Sequence, residues 1–293
     1  MTEVSLPAVD DTAPPSGSSG IARQLWRHHS FMLGSAIVVA ILLSMLIVPL
    51  ITGTDPSAMS LRLRFRPPSA DHIFGTDMYG RDVLARVLQG AKLSLWIGTM
   101  VALLSGGAGT LVGLLSGYFR MADAVLMRIM DALMALPAIL LAVGITATLG
   151  PQTSSVIVAL SVAYLPRAAR VVRAAALVVK EQGYVEAARV GGAGSAYIIT
   201  RHILPNCVGP LLVQLSFVFA YAILAEAALS FVGVGPPPPA PSWGNIIAEG
   251  RDYSVEAWWI MLFPGLAICL ATLAVNLMGD GLRDVLDPRL KLD

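Results

Sequence analysis

The strongest constraint on this chain is a series of apolar runs, each close to the ~20 residues a helix needs to cross a bilayer. They are Phe31–Ile51, Leu93–Tyr118, Ala132–Leu149, Ser155–Ala176, Val208–Val232 and Ala257–Gly279. Every backbone amide in lipid must be paired within its own structure, so each run is expected as a helix. Composition agrees: 56% of the residues are hydrophobic and 13% charged, where soluble domains hold about 25% charged residues. The expected fold class is an all-α polytopic membrane protein with six transmembrane helices. Pro137 bends or starts the third.

The segments between the runs set the organisation. Residues 1–20 are rich in Pro, Ser, Gly and Asp with little to bury, which predicts a disordered tail, followed by a basic flank to residue 30. The first run competes with a signal peptide, whose apolar region is ~7–15 residues and ends in a small-residue cleavage site. Phe31–Ile51 is longer and no such site follows closely, so a retained first helix over 31–51 is expected. Residues 52–92 form a loop, 93–282 a five-helix core, and 283–293 a tail. Lys and Arg set the orientation. With the N-terminus inside, 13 of them face the cytoplasm and 7 the outside, which favours cytoplasmic termini and an extracytoplasmic loop 52–92. Arg167, Arg170 and Arg173 carry the clearest short-loop signal.

Little here points to catalysis. All four histidines, His28, His29, His72 and His202, fall outside the runs. Ser116 in GLLSG lacks both the nucleophile-elbow form and a base at membrane depth. Cys207 and Cys269 make neither a disulfide framework nor a metal spacing, and no metal site is expected. No Gly-Lys dipeptide occurs, so no phosphate loop of the G-x-x-x-x-G-K-[ST] kind is present. If nucleotide drives the protein, another chain binds it. A net charge of +1 predicts no nucleic-acid partner.

Four features remain to be placed. Glu226 is an ionisable residue within the fifth run, where charge is costly and marks a pathway, a gate or a buried pair. Ser105, Gly109, Gly113 and Gly117 share one face of the second helix, which suits close packing within the bundle or at a subunit interface. Asp77 and Asp82 stand among Gly75, Thr76 and Gly80; turn and cap geometry is the plain reading, a carboxylate pair the other. In PPPPAPSWGNIIAEGRDY, Ser242 is placed to cap a short helix, and Trp243, Trp258 and Trp259 suit the membrane–water interface. That loop is a gate, a docking face or a rigid connector, with Asp77, Arg81, Asp82, Trp243 and Asn245 as the candidates for docking or gating.

The last feature is a charged interruption between the fourth and fifth runs, EAARVGGAGSAYIITRHILPN, residues 186–206. Two short helices joined by a turn are expected. Ala187 and Ala188 favour helix, Gly191 and Gly192 permit a sharp turn with positive φ, and Pro205 ends the second helix. Glu186 offers a carboxylate to a helix start or to a basic partner. Charge bias puts this hairpin, residues 180–206, in the cytoplasm.

The same stretch resembles the signature of permease subunits of binding-protein-dependent ABC importers. Glu186, Ala187, Ala188, Gly192, Leu204 and Pro205 match, while His202 stands where the general pattern has Ile. The RHILPN ending is similar to the dipeptide, oligopeptide and nickel branch. HIFGTDMYGRDVLARVLQGAKLSL, MDALMALPAILLAV and ALSFVGVGPPPPAPSWGNII also resemble that branch. The likeness covers roughly residues 25–290 and fits the second permease of a pair, with one helix added before a five-helix core. It implies a non-catalytic subunit of the cell membrane that pairs with a homologous permease. An extracytoplasmic binding protein would deliver solute, and two ATPase domains, separate or fused, would bind ATP and Mg, so this chain carries no cofactor of its own. The hairpin would couple to an ATPase domain, with Gly191 and His202 beside the matched residues. Peptides are the implied solute, with nickel or another small solute as the alternative. A proton-coupled carrier using Glu226 and a membrane scaffold are the rivals from other classes.

Overall fold

The structure, a computed structural model, describes residues 23–237 and 240–286. The tail expected over 1–20 and residues 287–293 of the C-terminal tail lie outside the described residues. Helices dominate: α1 His29–Thr52, α2 Val83–Tyr118, α3 Arg120–Met134, α4 Ala138–Leu149, α5 Thr153–Lys180, α6 Gly183–Val190, α7 Ser195–Val232, α8 Trp243–Gly250 and α9 Trp259–Leu286. Among the described residues no strand forms, and Thr76 and Asp82 make one isolated antiparallel bridge.

Five of these helices, α1, α2, α5, α7 and α9, are each long and apolar enough to cross a membrane. The third expected helix is different. Instead of one helix over Ala132–Leu149, the chain breaks after Met134 and α3 meets α4 at 90°. Pro137 has no N–H to continue the ladder and pushes Leu136 out of the helical region. At ~1.5 Å per residue α4 covers about 18 Å, short of a ~30 Å hydrocarbon core. Counting the bent pair α3–α4 as one broken span brings the number of candidate spans to six.

The second boundary also moves. Its helix begins at Val83, not Leu93, because the Asp82 carboxylate accepts the Ala85 N–H and caps it. The first two turns are then buried by α8 and α9, with Val83 and Val87 in a cluster around Trp243, Ile246 and Ile260.

The small-residue face of α2 packs inside the chain. A Cβ on Gly109 would lie 2.6 Å from the Ala168 Cβ of α5; on Gly113, 2.6 Å from the Ala169 carbonyl; on Gly117, 2.6 Å from the Ala176 Cβ. Glycine brings the two backbones together where any side chain would hold them apart. A central cluster of Ile97, Val101, Val156, Leu160, Val218 and Leu229 joins α2, α5 and α7. Helix α1 is peripheral and rests on α9, where Gly34 meets the Ala274 carbonyl and Met278. The cationic end of α5 is tied to α3: Arg170 Nη2 lies 2.7 Å from Asp131, and Arg173 Nη2 2.7 Å from Asp123.

Candidate functional site

Two constructions stand at opposite ends of the long helices. The first is the hairpin between α5 and α7. Helix α6 ends in a Schellman arrangement: the Ala193 N–H donates to the Ala188 carbonyl at 3.0 Å and the Gly192 N–H to Arg189 at 3.1 Å. That geometry requires a left-handed residue, and Gly192 supplies it with φ +83°; Gly191, at φ −68°, needs no such freedom. Glu186 lies in the first turn of α6, where a carboxylate suits the helix dipole.

Pro205 does not end the second helix, as expected from the sequence. The chain runs on from Ser195 to Val232 through a widened π turn, Ile199–Ile203, in which the Leu204 N–H reaches back to the Ile199 carbonyl. A wider turn relieves the clash that a proline ring makes with the carbonyl one turn before it. The hairpin's second arm and the fifth span are thus one rod. His202 lies against the rings of Tyr184 and Tyr197, 5.9 and 5.6 Å between centroids. The Asn206 amide closes this corner on the His202 carbonyl at 2.7 Å.

The base of the hairpin is buried and its tip is not. Val185, Ile198, Ile203 and Cys207 are fully buried on Leu114, Val172 and Ala176 of α2 and α5. At the tip Val190 is 85% exposed, Tyr197 is half exposed, and Glu186, Ala187 and Gly192 face outward; Ala188 and Leu204 are half-buried. A tip with apolar side chains in the open, anchored by a packed base, has the form of a docking element.

The second construction closes the other end. Residues 53–82 fold over α8 and the start of α9. Gly75 and Gly80 take φ of +73° and +72°, and Gly80 rests on the Ser60 carbonyl. Asp77, 1% exposed, accepts the N–H groups of Tyr79 and Arg81 and pairs with two guanidiniums, Arg81 at 2.6 Å and Arg86 at 2.8 Å. Both arginines also reach Glu249 of α8 at 2.7 Å. The cluster is internally neutral and joins the first loop, α2 and α8. Asp77 and Arg81 therefore sit in a lock that Arg86 and Glu249 complete, whereas Asp82 caps α2 and meets His72 Nδ1 at 2.9 Å. Nothing local marks Glu249, since its partners are over 160 residues away.

Glu226 occupies the same end. It is fully buried, and its carboxylate accepts the hydroxyls of Ser242 at 2.7 Å, Ser230 at 2.8 Å and Ser94 at 3.3 Å. Ser242 caps α8, receiving the Asn245 N–H, and Ser94 receives the Trp243 N–H at 3.1 Å. The carboxylate thus holds the N-terminus of α8 through two serines, which suits the positive end of that helix. Trp243 and Trp259, expected at the membrane–water interface, are turned into the protein. Trp243 is 1% exposed with its indole N–H on the Val87 carbonyl, and Trp259 donates to Thr76. Of the three tryptophans only Trp258 is open, at 51%. Asn245 ties α8 to the proline-rich loop through the Pro236 carbonyl at 2.9 Å. Among the described residues no group of His, Cys, Asp or Glu is arranged to hold a metal ion.

Comparison with known proteins places this architecture. Residues 109–292 match the family described as "Binding-protein-dependent transport system inner membrane component". A Brucella abortus protein, named provisionally as a peptide transport system permease, is 58% identical over the whole of both chains. The di/tripeptide transport system permease protein DppC of Pseudomonas aeruginosa is 43% identical, across 92% of this chain and 91% of its own. The dipeptide transport system permease protein DppC of Escherichia coli K12 is also 43% identical, across 90% and 91%. Among solved structures, a chain of the MetNI methionine ABC transporter in inward-facing conformations superposes with a TM-score of 0.58 at 20% identity. It covers 69% of this chain and 97% of its own, a likeness of fold. This chain belongs to the family of binding-protein-dependent transport system inner membrane components, multi-pass proteins of the inner membrane.

Proposed function

We propose that this chain is the permease subunit of an ATP-driven importer and forms half of a pathway that carries di- and oligopeptides by alternating access. The observation that carries this reading is the hairpin: an exposed tip on a base packed into α2, α5 and α7. Such a part moves as one body with the bundle, so a displacement at Val190 is delivered to three long helices. The hairpin end faces the cytoplasm and the lock faces outward. Each ATPase domain, holding ATP and Mg, receives one hairpin; this chain itself catalyses nothing. A homologous permease supplies the other half of the pathway, and an extracytoplasmic binding protein delivers solute onto the lock. The relatives named for peptide and dipeptide transport support the substrate class. Directionality follows only if solute and nucleotide bind the inward-open and outward-open states with different free energies.

The test is retention of the ATPase subunits on the purified membrane complex. Val190→Asp with Tyr197→Ala places a charge and a gap at the tip, away from the buried base. The expected result is loss of the ATPase while both permeases still purify together from the membrane. Full ATPase retention, or solute flux through this chain alone, would contradict the reading.

A further inference from the structure

One cation near the middle of α5 stands apart from Arg170 and Arg173 on the same helix. Arg170 and Arg173 pair with Asp131 and Asp123. Arg167 makes no ion pair and no hydrogen bond to any described residue, although it lies deeper in α5 than either. It stands midway along α5, about 20 Å from each end at ~1.5 Å per residue. Its guanidinium carbon lies over two rings at once, 5.3 Å from the centroid of Tyr164 and 5.3 Å from that of Tyr221. Tyr164, three residues earlier in α5, is buried and points its hydroxyl at the Tyr221 carbonyl, 3.4 Å away. Arg167 therefore leans toward the N-terminal end of α5, as helical side chains do, and away from the end where the other cations find water and carboxylates.

A guanidinium that meets rings through their π-faces keeps its N–H donors free for hydrogen bonds. Tyr221 is 49% exposed, so this site lies at the surface of the chain and not in its core. A cation at this depth facing lipid carries a large cost, and such residues mark solute paths or buried pairs. One helical turn along, on the same faces of α5 and α7, Val171 and Phe217 line a cleft of about 520 Å³ shared with Gln214 and Arg283. That volume falls within the range of small-molecule sites, ~300–1,000 Å³.

We propose that Arg167, clamped by Tyr164 and Tyr221, is the point in the pathway that receives the carboxylate of the transported solute. The cleft toward the hairpin end takes the rest of the molecule. A planar fork with free donors matches a carboxylate in two parallel hydrogen bonds. Resting on the peptide reading above, this assigns the contact to the peptide's C-terminal carboxylate.

The experiment uses the complete transporter in proteoliposomes, with its binding protein saturated by either dialanine or dialanine amide. The ratio of acid to amide uptake is compared between wild type and variants; the binding protein's own preference is common to all and cancels. Arg167→Gln is expected to lower the ratio at least about tenfold, the loss of a charge-assisted hydrogen bond. Arg167→Lys should fall between, keeping the charge without the fork, and Tyr221→Leu should lower the ratio by a smaller factor. An unchanged ratio in Arg167→Gln would overturn the proposal. So would a parallel fall for both peptides, or loss of the paired permease from the purified complex. Those results would assign Arg167 to a carboxylate of the neighbouring subunit. A wild-type complex that hydrolyses ATP yet moves neither peptide would refute the peptide reading itself.

Discussion

At the scale of single residues, two glycines side by side have different duties. Gly192 holds φ +83° with nothing within 4 Å of a Cβ built there, so its demand is conformational, not steric. Gly192→Ala is expected to cost ~1–2 kcal/mol of hairpin stability, the left-handed penalty, whereas Gly191→Ala, in a right-handed conformation, should be near neutral. Hydrogen exchange of the Ala193 amide, which closes the turn, measures the difference. Glu226 is the second case. Three hydroxyls and the N-terminus of α8 converge on it, an arrangement for holding a helix in place. Glu226→Gln keeps an acceptor for Ser230 and Ser242, and uptake should remain ATP-driven. Glu226→Ala leaves three buried hydroxyls without an acceptor and should expose the 240–250 segment to protease. A proton-coupled carrier predicts the reverse for Glu226→Gln, abolished flux and response to a pH gradient.

At the scale of elements, the lock of Asp77, Arg81, Arg86 and Glu249 joins parts that are far apart in sequence. Removing one partner from a buried pair leaves an uncompensated charge and costs ~3–5 kcal/mol. Arg86→Ala should therefore lower the thermal midpoint of the solubilised complex sharply. Asp77→Asn combined with Arg86→Met should recover part of that loss, and failure of the pair to recover any would point to packing rather than charge. The α2–α5 seam makes a complementary prediction. Gly113→Val inserts volume where the Ala169 carbonyl and the Val172 side chain already close the space. Overpacking of ~1–3 kcal/mol should appear as weakened assembly, read by the same melt. The elements also show what a sequence can carry. The long helices were legible because lipid forces each to satisfy its own backbone. Gly109, Gly113 and Gly117 were legible as a packing face, although their partner helix was not. Pro137 and Pro205 carried the same local signal and met different fates: the chain breaks at one and widens into a π turn at the other. No local rule reports which of the two follows. Trp243 and Trp259 read as interfacial for the same reason, since their carbonyl partners, Val87 and Thr76, come from distant segments.

At the scale of the whole molecule, the hairpin and the lock are separated by the length of the bundle and connected through it. Helix α7 runs from the hairpin turn to Glu226, which reaches α8 through Ser242, and α5 carries Arg167 between the two ends. Rigid helices joined to an exposed tip at one end and to the locked loops at the other are the kind of element through which the proposed coupling would run. The hairpin was legible from residues 186–206 because its turn demands the positive φ that Gly192 supplies. The lock was not, because its ion pairs and the buried tryptophans beside it exist only after the loops meet. The most direct measurement takes ATP hydrolysis and peptide uptake together, in proteoliposomes of the complete transporter carrying Glu186→Lys with Gly192→Asp. The account predicts that the protein inserts and ATP turnover persists while uptake per ATP falls by at least about tenfold. Uptake per ATP equal to wild type would contradict it, because the hairpin would then not be the joint through which this permease is driven.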